Sequence, residues 1–160
     1  QSKFYQYLPQ LNILINGIYW DHDYPRLVEC GFLEKNFDKL KKLKIIGDIS
    51  CDVDGGVECT RKSTNSGAPF FVYEPEKDDI KMGLVGNGPA ILAVDNLPGE
   101  ISRDSASFFS KILKNYMPLL RNGNMDGDWK DLKIPDELKK AVIIHKGELT
   151  PNFKYLGKYL

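Results

Sequence analysis

Residues 44–58, KIIGDISCDVDGGVE, constrain this chain more than any other stretch. Ile45, Ile46 and Ile49 are apolar and β-branched, which suits a strand buried in a sheet. The strand runs directly into Asp48, Ser50, Asp52, Asp54 and the pair Gly55-Gly56, with Glu58 just beyond. Four carboxylates in eleven residues are unsuited to a core, because an unpaired buried charge is strongly destabilising. They can line a cleft, and in open α/β sheets ligands bind just outside the carboxyl ends of strands. The alternative is a solvated turn in which Asp and Ser side chains cap backbone groups. Spacing rules out a calcium loop: counting from Asp48, the sixth position is Val53 rather than Gly and the twelfth is Cys59 rather than Glu.

Other short apolar runs supply the rest of a sheet. Residues 11–15 (LNILI), 70–73 and 90–94 read as strands, the first stopped by Asn16-Gly17 and the second by Pro75. A short surface helix is expected over 37–43, and residues 77–81 read as charged and exposed. Residues 103–117 carry Ala106, Phe109, Ile112, Leu113 and Tyr116 at helical spacing, with Ser102 or Asp104 as N-cap and Pro118 ending or kinking the helix. Pro135 suits the first turn of a helix reaching about Val142, followed by a Lys146-Gly147 turn and an aromatic tail. Alternating strands and helices give an α/β class with a mainly parallel sheet. About four strands are visible, fewer than a complete dinucleotide-binding sheet has, and no G-x-G-x-x-G follows any of them. The sheet reads as partial.

A chain of 160 residues can bury one core without staples. Lys plus Arg and Asp plus Glu number 22 each, so no net field favours nucleic acid or an anionic membrane. No apolar run approaches the ~20 residues of a membrane helix. Cys30, Cys51 and Cys59 form no CxxC pair and leave one over if two bond, which points to free thiols in a reducing, intracellular compartment. The chain begins without Met, and the expectation is a piece of something longer.

The remaining candidates are weaker. Asp95-Asn96-Leu97-Pro98-Gly99 joins a strand to the longest helix; it could present an amide to a ligand, or be a turn with Pro and Gly where turns need them. The run Asn122–Asp128 mimics a calcium loop until its twelfth position, Lys133. Gly83, Gly86 and Gly88 lack the Lys-Ser/Thr of a phosphate loop. His22 and His145 stand apart from any nucleophile, and Cys51 has no basic neighbour in sequence to lower its pKa.

Taken together, the motifs resemble a known family. Asn16-Gly-Ile-Tyr19-Trp20 with Pro25-Arg26-Leu27 is similar to the Asn-Cys-Ile-Tyr-Trp and Pro-Arg-Leu elements of lysine–2-oxoglutarate reductase. That enzyme is the amino-terminal half of the bifunctional α-aminoadipic semialdehyde synthase. Gly47-Asp48-Ile49-Ser50-Cys51-Asp52, with Gly55 and Glu58, resembles its Asp-Ile-Ser-x-Asp-x-Gly-Gly-x-x-Glu signature. Residues 69–73, 91–103 (ILAVDNLPGEISR), 141–143 and 154–156 are also similar. A fainter likeness reaches alanine dehydrogenase and the transhydrogenase substrate-binding subunit, which share Asp-x-Gly-Gly-x-x-Glu and an Asn-x-Pro-Gly turn before a long helix. One departure is Asp54, where the family usually has Gly.

The resemblance implies a partial Rossmann-like sheet over residues 1–94 and, over 95–160, a crossover helix and a segment returning to a substrate domain. It implies NADPH-dependent condensation of lysine with 2-oxoglutarate to saccharopine, with NAD(H) left open as cofactor. By position, Asn16, Gly17, Ile18, Asp48, Ile49, Ser50, Cys51, Asn96 and Leu97 would contact the cofactor. Asp52 would stand nearest the reacting carbon, Asp52 and Glu58 would face substrate, and no metal is implied. The family's acid–base Lys and His, most of its carboxylate-binding Arg and its pyrophosphate loop would lie upstream, so the upstream half is an implied partner and these residues alone should be catalytically silent. The apolar stripe of residues 103–117 would then be left uncovered. A homo-oligomer and a matrix or cytoplasmic location are compatible with this. The competing expectations are a non-catalytic nucleotide- or protein-binding module of the same fold, and an alanine-type amino-acid dehydrogenase.

Overall fold

The computed structural model describes residues 2–159, which divide into two compact units, Gln1–Glu100 and Ile101–Leu160. The first unit holds a five-stranded sheet of β1 (Ile13–Asn16), β2 (Ile45–Asp48), β3 (Phe70–Glu74), β4 (Asp79–Met82) and β5 (Ala90–Leu92) in the order β1-β2-β5-β3-β4. Strands β1, β2 and β5 are parallel, with Ile13 opposite Ile45, Asn16 opposite Asp48 and Gly47 opposite Leu92. All four strands expected from the sequence form. The strand β3 lies antiparallel to β5, and β4 pairs antiparallel with β3, Glu74 opposite Asp79. This mixed α/β sheet with a parallel half is Rossmann-like.

The fifth strand lies where the charged, exposed stretch was expected. Its pattern is almost wholly solvent-facing, so no apolar alternation marks it. The hairpin is closed by Asp78 in a left-handed conformation (φ 50°), and Asp79 and Lys81 blunt the sheet's edge.

One sheet face carries the core. Leu14, Ile46, Ile91, Phe71 and Tyr73 pack with Leu8, Val28, Leu33, Leu40 and Leu43. The opposite face is open at β1, where Ile13 and Ile15 are 55% and 62% exposed. The helix expected over 37–43 is displaced: α1 spans Cys30–Asn36, and Phe37–Leu40 form a tighter 3-10 turn behind it. The start of α1 is set from a distance, because a Glu58 carboxylate oxygen accepts the Cys30 N–H at 2.7 Å. An anion at the first helical N–H stabilises that end, and a cap from 28 positions along the chain leaves no local signature.

At the end of the first unit, β5 stops at Leu92, a lone bridge joins Val94 to Thr64, and α2 (Leu97–Glu100) is a single turn. The second unit contains α3 (Ser102–Lys114), α4 (Met117–Asn122), α5 (Asp136–Ala141) and a two-stranded hairpin of β6 (Ile144–His145) and β7 (Glu148–Leu149). Ile101, not Ser102 or Asp104, holds the N-cap position of α3, so those two side chains lie in its first turn. Pro118 lies in the first turn of α4, where its missing N–H has no helical partner to lose. Lys146 and Gly147 turn the hairpin with φ 51° and 84°, the paired left-handed conformations of a tight hairpin turn. Leu132, Ile134 and Thr150 are buried, whereas no residue of α3 is. Phe109, Ile112 and Leu113 are 63%, 44% and 42% exposed, so these stripe residues are uncovered as expected. No helix among the described residues is long and apolar enough to cross a membrane.

Replacing Phe71, fully buried, by Ala is expected to lower unfolding free energy by about 3–5 kcal/mol, while Phe109→Ala changes it by less than about 0.5 kcal/mol; urea titration with unchanged slope checks both. A second expectation concerns pH. The Tyr73 hydroxyl donates to Asp78 at 2.7 Å and the Arg61 guanidinium at 2.6 Å, and both hold the Asp78 carboxyl below its usual value. A carboxylate with a depressed folded pKa stabilises the protein above its unfolded pKa, about 3.9, and that stabilisation is lost as pH falls through the lower folded value. Asp78→Asn should therefore flatten the acid limb of a stability-versus-pH curve in that window. A limb unchanged by the substitution would contradict it.

Candidate functional site at the carboxyl edge of the parallel strands

Asn16 ends β1 and Asp48 ends β2, directly opposite one another, and both are buried, at 2% and 1% exposure. Asp48 is the hub of this edge. Its Oδ1 accepts from Asn16 Nδ2 at 2.9 Å and Ser50 Oγ at 2.6 Å, and its Oδ2 accepts from Thr60 Oγ1 at 2.6 Å. Asn16 Nδ2 also donates to Ser50 Oγ at 3.0 Å, and Asn16 Oδ1 accepts from the Ile18 N–H at 3.2 Å. Both carboxylate oxygens are thus occupied by the protein. Asp48, Asn16 and Ser50 shape the floor, while Gly17, Ile18 and Ile49 line its exposed rim.

Beyond Asp48 the chain turns sharply. Cys51 and Asp54 adopt left-handed conformations, φ 58° and 52°, on either side of Asp52. Non-glycine residues hold such angles only when the surroundings fix them. Cys51 is fixed by its thiol, which donates to the Ala93 carbonyl and ties the exits of β2 and β5 together. Burial, then the Asp48, Asp95 and Asp52 carboxylates, push that thiol's pKa up, so it is a hydrogen-bond donor rather than a nucleophile. The left-handed angle at Asp54 is one that glycine adopts freely, which suits the Gly of the family pattern, and Asp is among the non-glycine residues that tolerate it. Its charge is turned away to Arg61 at 2.8 Å, and Arg61 also reaches Asp78.

The two glycines that follow have different reasons. The Gly55 N–H closes the turn on the Asp52 carbonyl at 3.0 Å, and a Cβ on Gly55 would lie 2.7 Å from Asp52 Cβ. A Cβ on Gly56 would lie 3.1 Å from Cβ of Trp20. Gly56 is therefore the seat on which Trp20 packs. The indole N–H donates to the Tyr24 carbonyl at 2.9 Å, the Arg26 guanidinium lies 5.1 Å over the ring, and His22 meets it edge-on at 5.0 Å. Arg26 is held in turn by Glu58 at 3.3 Å. Glu58 thus serves Arg26 and the start of α1 with its two oxygens.

Two cavities flank Trp20. One, of about 480 Å³, is lined by Asn16, Ile18, Tyr19, Trp20, Tyr24, Pro25, Leu27 and Gly56. The other, of about 350 Å³, has Asp52, Asp21 and His22 among its walls with Tyr19 and Trp20. Asp52 is exposed, and its carboxylate has no hydrogen-bond or ion-pair partner among the described residues. Asn96 and Leu97 follow β5 on the same carboxyl edge, with the Asn96 carbonyl accepting from the Gly99 N–H at 3.0 Å and the Asn96 side chain exposed. The glycines at 83–88 form no cradle: a Cβ on Gly86 would strike Val72, and one on Gly88 the Tyr73 carbonyl. They let the loop close onto β3. His145 lies in the second unit, its Nε2 3.1 Å from the Met125 carbonyl. Among the described residues no group of His, Cys, Asp and Glu is arranged to hold a metal.

Sequence reasoning assigned no role to Thr60, Arg26 or Trp20 individually. Thr60 carries no local signal, since its partner Asp48 is reached only through the fold. Trp20 and Arg26 do stand in recognised motifs, and their contacts with Gly56 and Glu58 show why those motifs travel together.

A Rossmann-like sheet with its polar groups gathered at the parallel carboxyl edge is the architecture of nucleotide-binding oxidoreductase domains. The chain belongs to the family described as alanine dehydrogenase/PNT, C-terminal domain, whose model matches residues 1–152. It is 30% identical over 150 residues to the α-aminoadipic semialdehyde synthase of Arabidopsis thaliana, covering 94% of this chain and 14% of that protein. It is 26% identical over 164 residues to the mitochondrial α-aminoadipic semialdehyde synthase of Mus musculus, covering 94% of this chain and 18% of that protein. The chain therefore spans less than a fifth of the length of these relatives.

Asp48→Asn would turn an NH2 toward donors that now meet carboxylate oxygens. A loss of about 2–4 kcal/mol is expected, and about 1–3 kcal/mol for Thr60→Val, which leaves one buried oxygen short of a donor; chemical denaturation of each variant measures this.

Proposed function

We propose that this chain forms the cofactor-facing edge of an enzyme that condenses L-lysine with 2-oxoglutarate and reduces the imine to saccharopine with NADPH. The observation that carries the reading is the division of labour among the four acids of residues 48–58. Asp48, Asp54 and Glu58 are bound by protein groups, whereas Asp52 faces a cavity with no partner among the described residues. A carboxylate left exposed beside three that are satisfied is available to a ligand.

The residues present fit the nicotinamide end of a dinucleotide: Gly17, Ile18, Ile49, Ser50 and Cys51 follow the ends of β1 and β2 around the buried Asn16–Asp48 pair, and Asn96 and Leu97 follow β5 on the same edge. When bound, the nicotinamide would supply hydride to the imine carbon. Asp52 would favour protonated imine and amine over their neutral forms, placing fixed negative charge where positive charge develops. Glu58 acts on substrate through Arg26, which it orients. Residues 1–94 would be part of the nucleotide-binding domain and 95–160 the crossover back to a substrate domain, whose surface would cover the α3 stripe. NADPH as cofactor with NADH left open, the upstream half as partner, and a mitochondrial-matrix or cytoplasmic location belong to the same proposal; the mouse and rat relatives are named mitochondrial.

The test joins this chain to the upstream segment of the Arabidopsis relative and follows NADPH oxidation with lysine and 2-oxoglutarate. The joined protein is expected to turn over and the chain alone to be silent, with Asp52→Asn lowering kcat/KM by about 10²-fold. Turnover with ammonia and pyruvate instead would favour an alanine-type dehydrogenase. A joined protein inert to both would leave a non-catalytic module.

A further inference from the structure

The segment between β1 and α1 is a loop, yet its central side chain is fixed from four directions. Trp20 donates its indole N–H to the Tyr24 carbonyl at 2.9 Å, lies under the Arg26 guanidinium at 5.1 Å, meets His22 edge-on at 5.0 Å, and rests on Gly56, where even a methyl group would be 3.1 Å from its Cβ. No core explains this, because Trp20 is only half-buried and belongs to no hydrophobic cluster of the fold. Its surroundings do. Trp20 and Tyr19 are walls common to both cavities, so the indole is the partition between them.

The two sides differ in chemistry. On one, Ile18, Tyr24, Pro25, Leu27 and Gly56 leave an almost wholly apolar space. On the other, Asp21, Asp52 and Asp54 stand around the opening. Asp54 is paired with Arg61 and Asp21 accepts the Asp23 N–H at 2.9 Å, which leaves Asp52 as the uncommitted charge. We infer that Trp20 is a specificity-determining residue, a locked partition that seats the aliphatic chain of a diamino acid against its face and delivers the terminal ammonium to Asp52. An indole face attracts a cation while its body packs against methylenes, so one side chain serves both parts of such a ligand. A neutral isostere would keep the packing and lose the charge contact, which is how a site separates the two. The inference rests on the lysine-reductase reading for the identity of the ligand and adds the residue that selects it.

Both cavities are lined entirely by the first unit, so the chain itself can be used. Trp129→Phe leaves Trp20 as the sole indole, since the chain has two tryptophans. L-lysine should perturb Trp20 emission saturably, and L-norleucine, which lacks the terminal ammonium, should need at least ten-fold higher concentration. Asp52→Asn should bring lysine to the level of norleucine. Gly56→Ala, which removes no polar group but displaces the indole, should weaken lysine at least five-fold in the folded protein. Should Gly56→Ala fail to fold, Trp20→Phe titrated calorimetrically decides, and a lysine affinity equal to that of the parent overturns the inference. Equal response to lysine and norleucine, or none to either, also overturns it. Those outcomes leave the reductase reading standing, which is judged separately by NADPH oxidation in the joined protein.

Discussion

A carboxylate buried at the end of a strand holds this structure in register. Asp48 has no cationic partner; neutral donors surround it, namely the Asn16 amide and the Ser50 and Thr60 hydroxyls. Each comes from a different part of the chain, so satisfying the charge forces β1, the exit of β2 and the segment after the Gly-Gly turn into one place. Leaving any of those acceptors unfilled in a buried site would cost on the order of a hydrogen bond or more. The polar network thus specifies geometry where a purely apolar core would leave latitude.

From that anchor the rest of the edge follows by steric necessity. The turn after Asp48 passes through two left-handed residues, which points Asp52 outward and lets Gly55 close the loop tightly. Gly56 then offers a bare backbone to Trp20. Motifs far apart in sequence, Tyr19-Trp20 with Arg26 and the Gly-Gly turn with Glu58, turn out to be two halves of one packing unit. The Arg26–Glu58 pair and the Glu58 contact at the start of α1 extend the unit to the first helix.

The second unit has a different character. Its longest helix exposes an apolar face, and its hairpin and short helices bury only a few side chains. An amphipathic helix gains most of its stability by covering that face. The family match runs over residues 1–152, so it takes in both units, and the chain spans less than a fifth of the length of the relatives it matches.

What the residues alone determined was the chemistry of the strand exits and the class of the sheet. β-Branched runs ending in Asp, Asn and Gly declare buried strands with polar ends, since burial and turn geometry are local demands. The motif Asp48 to Glu58 was legible for the same reason. What only the tertiary structure decided was which acid is free. The family resemblance set Asp52 nearest the reacting carbon, Asp48 at the cofactor and Glu58 at substrate; the fold commits Asp48 and Glu58 to distant partners and leaves Asp52 without one among the described residues. It also moved the first helix seven residues toward the amino terminus, from an expected start at Phe37 to Cys30, because its cap is Glu58. It made a strand of the charged stretch 79–82, because pairing with β3 needs backbone groups rather than apolar side chains. Partners separated by tens of residues leave no periodicity to read; only folding brings them within 3 Å.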